Sequence, residues 1–248
     1  MTIDGRDVPF DPGKSVLEVA QNEGIYIPRL CYHPGLSPFG ACRLCIVEVK
    51  KSGRPGLTAS CTLPATDGLV VETSSVSVLK ARQMLIKLLL AAAPDSEVVW
   101  SLAEKLGVET HPFRKTEDED KKTRDKKCIL CGLCVRVCEQ MGSSAIGFAF
   151  RGPHRRVIPP FEKPPDECLG CRACENICPT GAISFSVEGG ALLGQPWGAK
   201  LNLKVCSACG KPFLPERLLE KVKPMVEMES IFELCPNCRR RRMMELVK

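Results

Sequence analysis

Cysteine makes up 16 of the 248 residues, and its spacing sorts it into four groups of four. Two groups repeat one pattern. Cys128, Cys131, Cys134 and Cys138 follow C-x2-C-x2-C-x3-C, and Cys168, Cys171, Cys174 and Cys178 follow it again with Pro179 directly after. Three cysteines at that spacing wrap one corner of an iron–sulfur cubane, and the fourth is left pointing toward a second cluster. The repeat therefore predicts two [4Fe–4S] clusters, one on Cys128, Cys131, Cys134 and Cys178 and the other on Cys168, Cys171, Cys174 and Cys138. Gly132 and Gly170 stand where the chain must bend close to a cluster. A doubled pattern of this kind does not suit zinc.

The first group, Cys31, Cys42, Cys45 and Cys61, is spaced C-x10-C-x2-C-x15-C. Two ligands on a tight loop and two distant ones close around a small centre, and in a strand-rich segment the spacing suits a [2Fe–2S] cluster over a structural zinc. Gly40 and Ala41 are small enough to leave backbone N–H groups free to point at sulfur. His33 reads as a solvent-facing or packing residue, because four cysteines already fill the site. The fourth group, Cys206, Cys209, Cys235 and Cys238, is two CxxC knuckles separated by 25 residues. Facing knuckles make a tetrahedral all-sulfur site suited to structural zinc, with a further Fe–S cluster and a single iron as alternatives.

Other compositions fit poorly. Disulfide scaffolds are usually short secreted chains, whereas the opening MTIDGRDVPFDPGKSVLEVA has neither a basic n-region nor an apolar h-region. The expectation is a reducing cytoplasm, where thiols serve as metal ligands. The longest apolar stretch, Met84 to Ala93, is interrupted by Lys87 and is too short to span a bilayer. The formal charge of +6 counts every cysteine as neutral. Three four-thiolate clusters at roughly −2 each would about cancel it, so the basic balance is weak evidence for nucleic acid. Arg239 to Arg242 follow the last knuckle without an aromatic platform or reading helix, which suits a solvated tail or a patch for an acidic partner. Gly189, Gly190 and Gly194 have the wrong spacing for a dinucleotide loop and read as a turn. No site is expected to bind NAD or flavin unaided.

The elements that must position these cysteines follow from patterning. Residues 1–73 read as a strand-rich module (Thr2-Ile3, Val8-Pro9-Phe10, Ile46 to Val49 and Leu69 to Glu72) with one helix, Val16 to Glu23, capped by Ser15 with Glu18 completing a capping box and ended by Gly24. Residues 74–127 read as a helical segment and a charged linker. Val78, Ala81, Leu85, Leu88 and Ala92 form the predicted apolar stripe of one helix, and Val98, Leu102 and Leu106 that of a second. Residues 114–127 are almost wholly charged and read as solvated linker. Residues 128–199 hold the repeated cysteine runs, with an extended link from Arg155 to Pro165. Residues 200–248 read as a separate ribbon-like module with an amphipathic segment from Pro215 to Val226.

Three segments, CYHPGLSPFGACRLCIVEV, DKKCILCGLCVRVCEQMGSSAIGF and ECLGCRACENICPTGAI, together resemble the N-terminal Fe–S region of several oxidoreductases. These are the complex I large Fe–S subunit, the small diaphorase subunit of NAD-linked [NiFe] hydrogenases, NAD-dependent formate dehydrogenases and [FeFe] hydrogenases. The resemblance covers about residues 1–186. It implies an α+β chain with a β-grasp [2Fe–2S] domain, a helical segment and a two-cluster [4Fe–4S] ferredoxin domain, followed here by the ribbon-like tail. Such relatives commonly carry a further [4Fe–4S] site held by one histidine and three cysteines. No cysteine lies between Cys61 and Cys128, so that cluster is expected to be absent. No H-cluster or molybdopterin domain is expected either.

The resemblance implies an electron-relay subunit without its own catalytic site, working between an NADH-oxidising FMN flavoprotein and a hydrogenase, formate dehydrogenase or electron-bifurcating partner. Nucleic acid is not an expected partner. The alternatives are a self-sufficient [FeFe]-hydrogenase-type catalyst, for which the downstream cysteines have the wrong spacing, and a redox-sensing regulator whose tail binds nucleic acid.

Overall fold

The computed structural model describes residues 1–110, 126–226 and 232–246; most of the charged run 114–127 lies outside them. The chain divides into two compact units, Met1–Leu133 with Pro179–Ala182, and Cys134–Cys178 with Ile183–Lys248.

In the first unit, β1 (Thr2–Ile3), β2 (Arg6–Asp7), β3 (Ile46–Lys51), β4 (Gly56–Ala59) and β5 (Val70–Glu72) form one sheet in the order β2-β1-β5-β3-β4. The β1–β5 pair is parallel and the others antiparallel. Alternation along β3 explains its orientation. Val47 and Val49 enter the core, while Glu48 stays out and pairs with Lys50, which also meets Glu72. Helix α1 (Val16–Asn22) covers the core with Val16, Leu17, Val19 and Ala20 against Ile3, Val47, Leu69 and Val71. Its capping box forms as expected: Ser15 Oγ accepts from the Glu18 N–H, and the Ser15 N–H donates to Glu18 Oε2 at 2.9 Å. The second expected strand sits at Arg6–Asp7, two residues before Val8, and β4 was not legible because its GLTA has no alternation.

Helices α2 (Val76–Ala92) and α3 (Glu97–Lys105) start at the Ser75 and Ser96 side-chain caps. The buried stripe of α2 is Val78, Arg82, Ile86 and Leu90. Of the apolar stripe expected from sequence only Val78 is buried; Ala81, Leu85 and Ala92 are half-buried and Leu88 is 47% exposed. The register turned because an arginine occupies a core position that a count of apolar residues passes over. Likewise α3 buries Val99, Leu102 and Ala103, leaving Val98 outside and Leu106 half-buried.

In the second unit, α4 (Leu133–Gln140, whose first residue belongs to the first unit) leads to the β6 (Gly147–Ala149) and β7 (Arg156–Ile158) pair, so part of the expected extended link is a strand. Helix α5 (Ala173–Ile177) precedes a four-stranded antiparallel sheet of β8 (Ser184–Glu188), β9 (Ala191–Gln195), β10 (Ala199–Val205) and β11 (Pro212–Pro215), in the order β11-β10-β9-β8. Gly189 and Gly190, with φ of 56° and 81°, make the turn between β8 and β9; positive φ at both central residues suits a tight hairpin, whereas Gly194, expected in the same turn, lies within β9. The sheet runs across residues 199 and 200, where sequence composition suggested a module boundary. Helices α6 (Glu216–Val222) and α7 (Pro236–Leu246) complete the described residues, and α7 carries Arg239 to Arg242, so the basic run expected as a helix-free tail is helical. No described helix is long and apolar enough to cross a membrane.

Removing the Ser15 hydroxyl is expected to cost α1 about 1 kcal/mol. Ser15→Ala should therefore speed hydrogen exchange at the Glu18 and Val19 amides about fivefold, with β8–β10 amides unchanged.

Candidate cofactor sites

All four cysteines of the first group are buried. They lie on irregular backbone beside the sheet: Cys31 after α1, Cys42 and Cys45 on the loop entering β3, and Cys61 just past β4. Their thiols form two pairs. Cys31 accepts from the thiol of Cys42, from the Cys42 N–H at 3.4 Å and from the Ala41 N–H, which hold it down to about 6 against burial. Cys45 accepts from the Cys61 thiol, the Cys61 N–H and the Ser60 hydroxyl and is likewise held to about 6. Cys42 and Cys61, the donating partners, are raised. Two cysteine pairs, each able to serve one iron, match the ligand set of a two-iron centre. Gly40 and Arg43 take φ of 68° and 60°, turning the loop around the sulfurs. For the non-glycine Arg43 that conformation carries strain. His33 is exposed and its Nδ1 accepts from the Gly35 N–H at 3.1 Å.

Arg82 is the residue that pattern reading missed. It is 4% exposed, and its Nε and Nη2 donate to the carbonyls of Leu44 and Ile46 at 3.0 and 2.7 Å. Those carbonyls flank Cys45, so α2 grips the ligand loop through one guanidinium. Burial lowers its pKa, and the facing Cys45 thiolate works in the opposite direction. An arginine in an otherwise apolar stripe was the available signal.

The two cysteine runs share a local backbone design. Leu130 and Gly132 have φ of 55° and 75°, and Gly170 and Arg172, at the matching positions of the repeat, have 68° and 58°. These turns aim equivalent amides at sulfur: the Leu130 N–H reaches Cys128 Sγ at 3.5 Å, and the Gly170 N–H donates to Cys168. In the second unit, burial pushes Cys174 up to about 12, and like-charge repulsion from Cys171, Cys168 and Cys138 adds to the rise. Cys138 thus sits electrostatically with the three cysteines of the later run. Cys128 and Cys131 belong to the first unit, and Cys134 and Cys178 to the second.

The sulfurs of Cys206, Cys209, Cys235 and Cys238 all lie within 4.8 Å of one another, with Cys209 and Cys235 at 3.8 Å. Four thiolates around one zinc at about 2.3 Å stand about 3.8 Å apart as a tetrahedron. Clustered irons would spread their ligand sulfurs further. The first knuckle closes the β10–β11 hairpin, with the Gly210 N–H on the Cys206 carbonyl at 2.9 Å and φ of 69° at Gly210. The second knuckle opens α7, and its Cys235 N–H donates to Cys206 Sγ at 3.2 Å. That donor, with the Ala208 and Cys209 amides, holds Cys206 at about 6, while the Cys209 and Cys235 sulfurs push Cys238 up to about 12. The Cys238 N–H lowers Cys235 as well, so the chain presents two thiols held below their ordinary range within a preformed four-sulfur site.

Residues 1–76 match the family model described as a 2Fe-2S iron-sulfur cluster binding domain, and residues 122–185 the one described as a 4Fe-4S dicluster domain. The chain is 34% identical over 208 residues to the NADP-reducing hydrogenase subunit HndD of Solidesulfovibrio fructosivorans, covering 74% of this chain and 35% of that one. It is 31% identical over 220 residues to the mitochondrial NADH-ubiquinone oxidoreductase 78 kDa subunit of Neurospora crassa, covering 81% and 29% respectively. It thus spans about a third of the length of these curated relatives. A chain in the crystal structure of an NAD+-reducing [NiFe]-hydrogenase in the H2-reduced state superposes with a TM-score of 0.61 at 30% identity, covering 87% of this chain and 93% of that chain.

Replacing Arg82 by Met leaves two buried carbonyls without their donor. The expected cost is about 2–4 kcal/mol in the first unit, measured as faster exchange of β3 amides, together with a more negative midpoint potential at the [2Fe–2S] centre as a cation is lost. An unchanged potential would remove Arg82 from the electrostatics of the site. Metal uptake at the C-terminal quartet must expel the thiol protons that remain at neutral pH, that of Cys238 foremost. Binding of Zn2+ to metal-free protein should release protons to a pH indicator at pH 7, and its affinity should rise with pH and fall on acidification through about 6, where Cys206 becomes protonated.

Proposed function

The chain belongs to the iron–sulfur family represented by the matched NAD+-reducing [NiFe]-hydrogenase chain, with [2Fe–2S] and 4Fe-4S dicluster domains, and from that premise we propose that it is a non-catalytic electron relay within a multi-subunit NAD(P)H-linked oxidoreductase. One observation carries the reading: a single chain presents a buried two-pair thiol site and a doubled cubane-ligand repeat whose amides turn toward sulfur. Bound clusters supply one-electron transfer without bond making. What the chain does is hold the thiolates, aim N–H groups at them and keep water away.

The ligand sets are Cys31, Cys42, Cys45 and Cys61 for a [2Fe–2S] cluster, Cys128, Cys131, Cys134 and Cys178 for one [4Fe–4S] cluster, and Cys138, Cys168, Cys171 and Cys174 for the other. The pairing of thiols in the first set, and the grouping of Cys138 with the later run, support this division. Cys206, Cys209, Cys235 and Cys238 hold a single ion, read here as zinc; the spacing of their sulfurs supports one ion over a cluster and fits a single iron equally. The domain plan is a β-grasp module over 1–73, a helical segment and linker over 74–127 and a ferredoxin module from 128 onward, with the ribbon-like quartet carried on the C-terminal sheet that continues through residues 199 and 200.

The relatives reported above are oxidoreductases or their subunits, and they lend no support to a nucleic-acid-binding regulator. The proposed neighbours are an FMN-containing, NADH-oxidising subunit and a hydrogenase, formate dehydrogenase or bifurcating partner, in the cytoplasm. The connection from α2 to α3, Ala93 to Ser96, offers no cysteine, so the relay has three clusters and its continuity past that point rests on a partner or on direct exchange.

Anaerobically purified chain should contain about ten irons and one zinc and should neither oxidise NADH nor evolve hydrogen alone. About fourteen irons without zinc would make the C-terminal quartet a cluster. Cys131→Ala should remove one [4Fe–4S] signal in EPR; unchanged iron content would refute the ligand assignment.

A further inference from the structure

The C-terminal hairpin and helix make a set of contacts with the ferredoxin module that neither cluster ligation nor the metal quartet requires. Pro215, the last residue of β11, sets its ring against Gly170 in the loop between Cys168 and Cys171. A Cβ added at Gly170 would lie 2.9 Å from Pro215 Cγ and 3.1 Å from Leu192 Cδ2, so the seat admits only hydrogen. Arg217, on the first turn of α6, donates through Nη1 to the carbonyl of Asp166, just ahead of Cys168. Lys221, one turn on, donates through Nζ to the carbonyls of Met141 and Gly142 at 2.9 and 2.7 Å. Those two residues follow the C-terminus of α4, the helix that carries Cys134 and Cys138. A cation there meets carbonyls left without helical donors and the negative end of the helix dipole.

The geometry has one common target. Ser143 Oγ donates to the Glu167 carbonyl at 2.5 Å, tying the end of α4 to the approach to Cys168, and Pro215, Arg217 and Lys221 all bear on these two tied segments. Both segments carry members of one cysteine group, Cys138 on α4 and Cys168, Cys171 and Cys174 beyond it. Cys168 itself packs against the core of the C-terminal sheet. At the other end of the same hairpin, the Cys206–Cys209 knuckle joins β10 to β11 and is held by the quartet.

We propose that the hairpin β10–β11 with α6, pinned at its tip by the metal of Cys206, Cys209, Cys235 and Cys238, is a clamp that protects and positions the [4Fe–4S] cluster of Cys138, Cys168, Cys171 and Cys174, with Pro215, Arg217 and Lys221 as its positioning residues. The C-terminal site is then a structural lock on one particular cluster and lies off the electron path. This rests on the ligand assignment proposed above for those four cysteines and on a single ion at the quartet.

The test uses the full chain, anaerobically loaded, in the double variant Arg217→Gln/Lys221→Met, neither residue being a ligand. Clusters are followed by EPR during timed exposure to an iron chelator, and each midpoint potential is measured in the same samples. The expected result is that one [4Fe–4S] signal decays about tenfold faster than in wild type, as charge-assisted hydrogen bonds are lost, and shifts in potential. The [2Fe–2S] signal should be unchanged. Cys209→Ser, which strips the quartet's ion, should accelerate decay of the same signal. Equal decay rates and potentials in wild type and the double variant would overturn the clamp. If Cys209→Ser instead abolishes an EPR signal of its own, the single-ion reading fails, while the double variant still judges the clamp separately.

Discussion

A thiolate removed from water needs donors, and the arrangement of this chain around its cysteines follows from that need. Burial raises a thiol's pKa, and only hydrogen bonds or positive charge bring it down to where it can ligate metal. The chain supplies backbone amides, which carry no counter-charge and cost no side-chain entropy. Amides point at a sulfur two residues back only if the chain turns tightly, and the turn calls for left-handed backbone. Hence Gly40, Gly132, Gly170 and Gly210 sit beside ligands, and Arg43, Leu130 and Arg172 adopt the same conformation without glycine's freedom. Strain held at non-glycine positions next to cysteine marks where ligation outweighs local preference.

The same need explains where the scaffold spends its unusual residues. Arg82 is a charged residue in a helix core because the loop it grips carries Cys45, and a guanidinium satisfies two carbonyls while facing a thiolate. Arg217 and Lys221 play a comparable part in the second unit, where they meet backbone carbonyls beside Cys168 and beyond Cys138. In each place a cation from a neighbouring element holds the backbone next to a ligand, which both fixes the loop and offsets negative charge.

Much of this was legible in the sequence because cysteine spacing is a direct record of ligand geometry. The capping box at Ser15 and Glu18 and the Gly189-Gly190 turn were equally readable, since each depends on residues a few positions apart. What escaped depended on tertiary partners. Strand β4 pairs with β3 through backbone bonds that GLTA does not advertise. The buried face of α2 was misjudged because apolar periodicity gives no weight to Arg82, whose partners lie 36 and 38 positions away. The continuity of the C-terminal sheet across residues 199 and 200 was hidden by the cysteine groups, which suggested a break where β9 pairs with β10.

The most direct test of the relay is a reductive titration of the anaerobic chain, counting electrons taken up against EPR signals that appear. Three one-electron centres in one chain predict an uptake of about three electrons and three separate signals, with the C-terminal quartet silent. A fourth electron and signal would place the quartet in the electron path, and an uptake of one or two would mean that the repeated cysteine runs do not hold the clusters assigned to them.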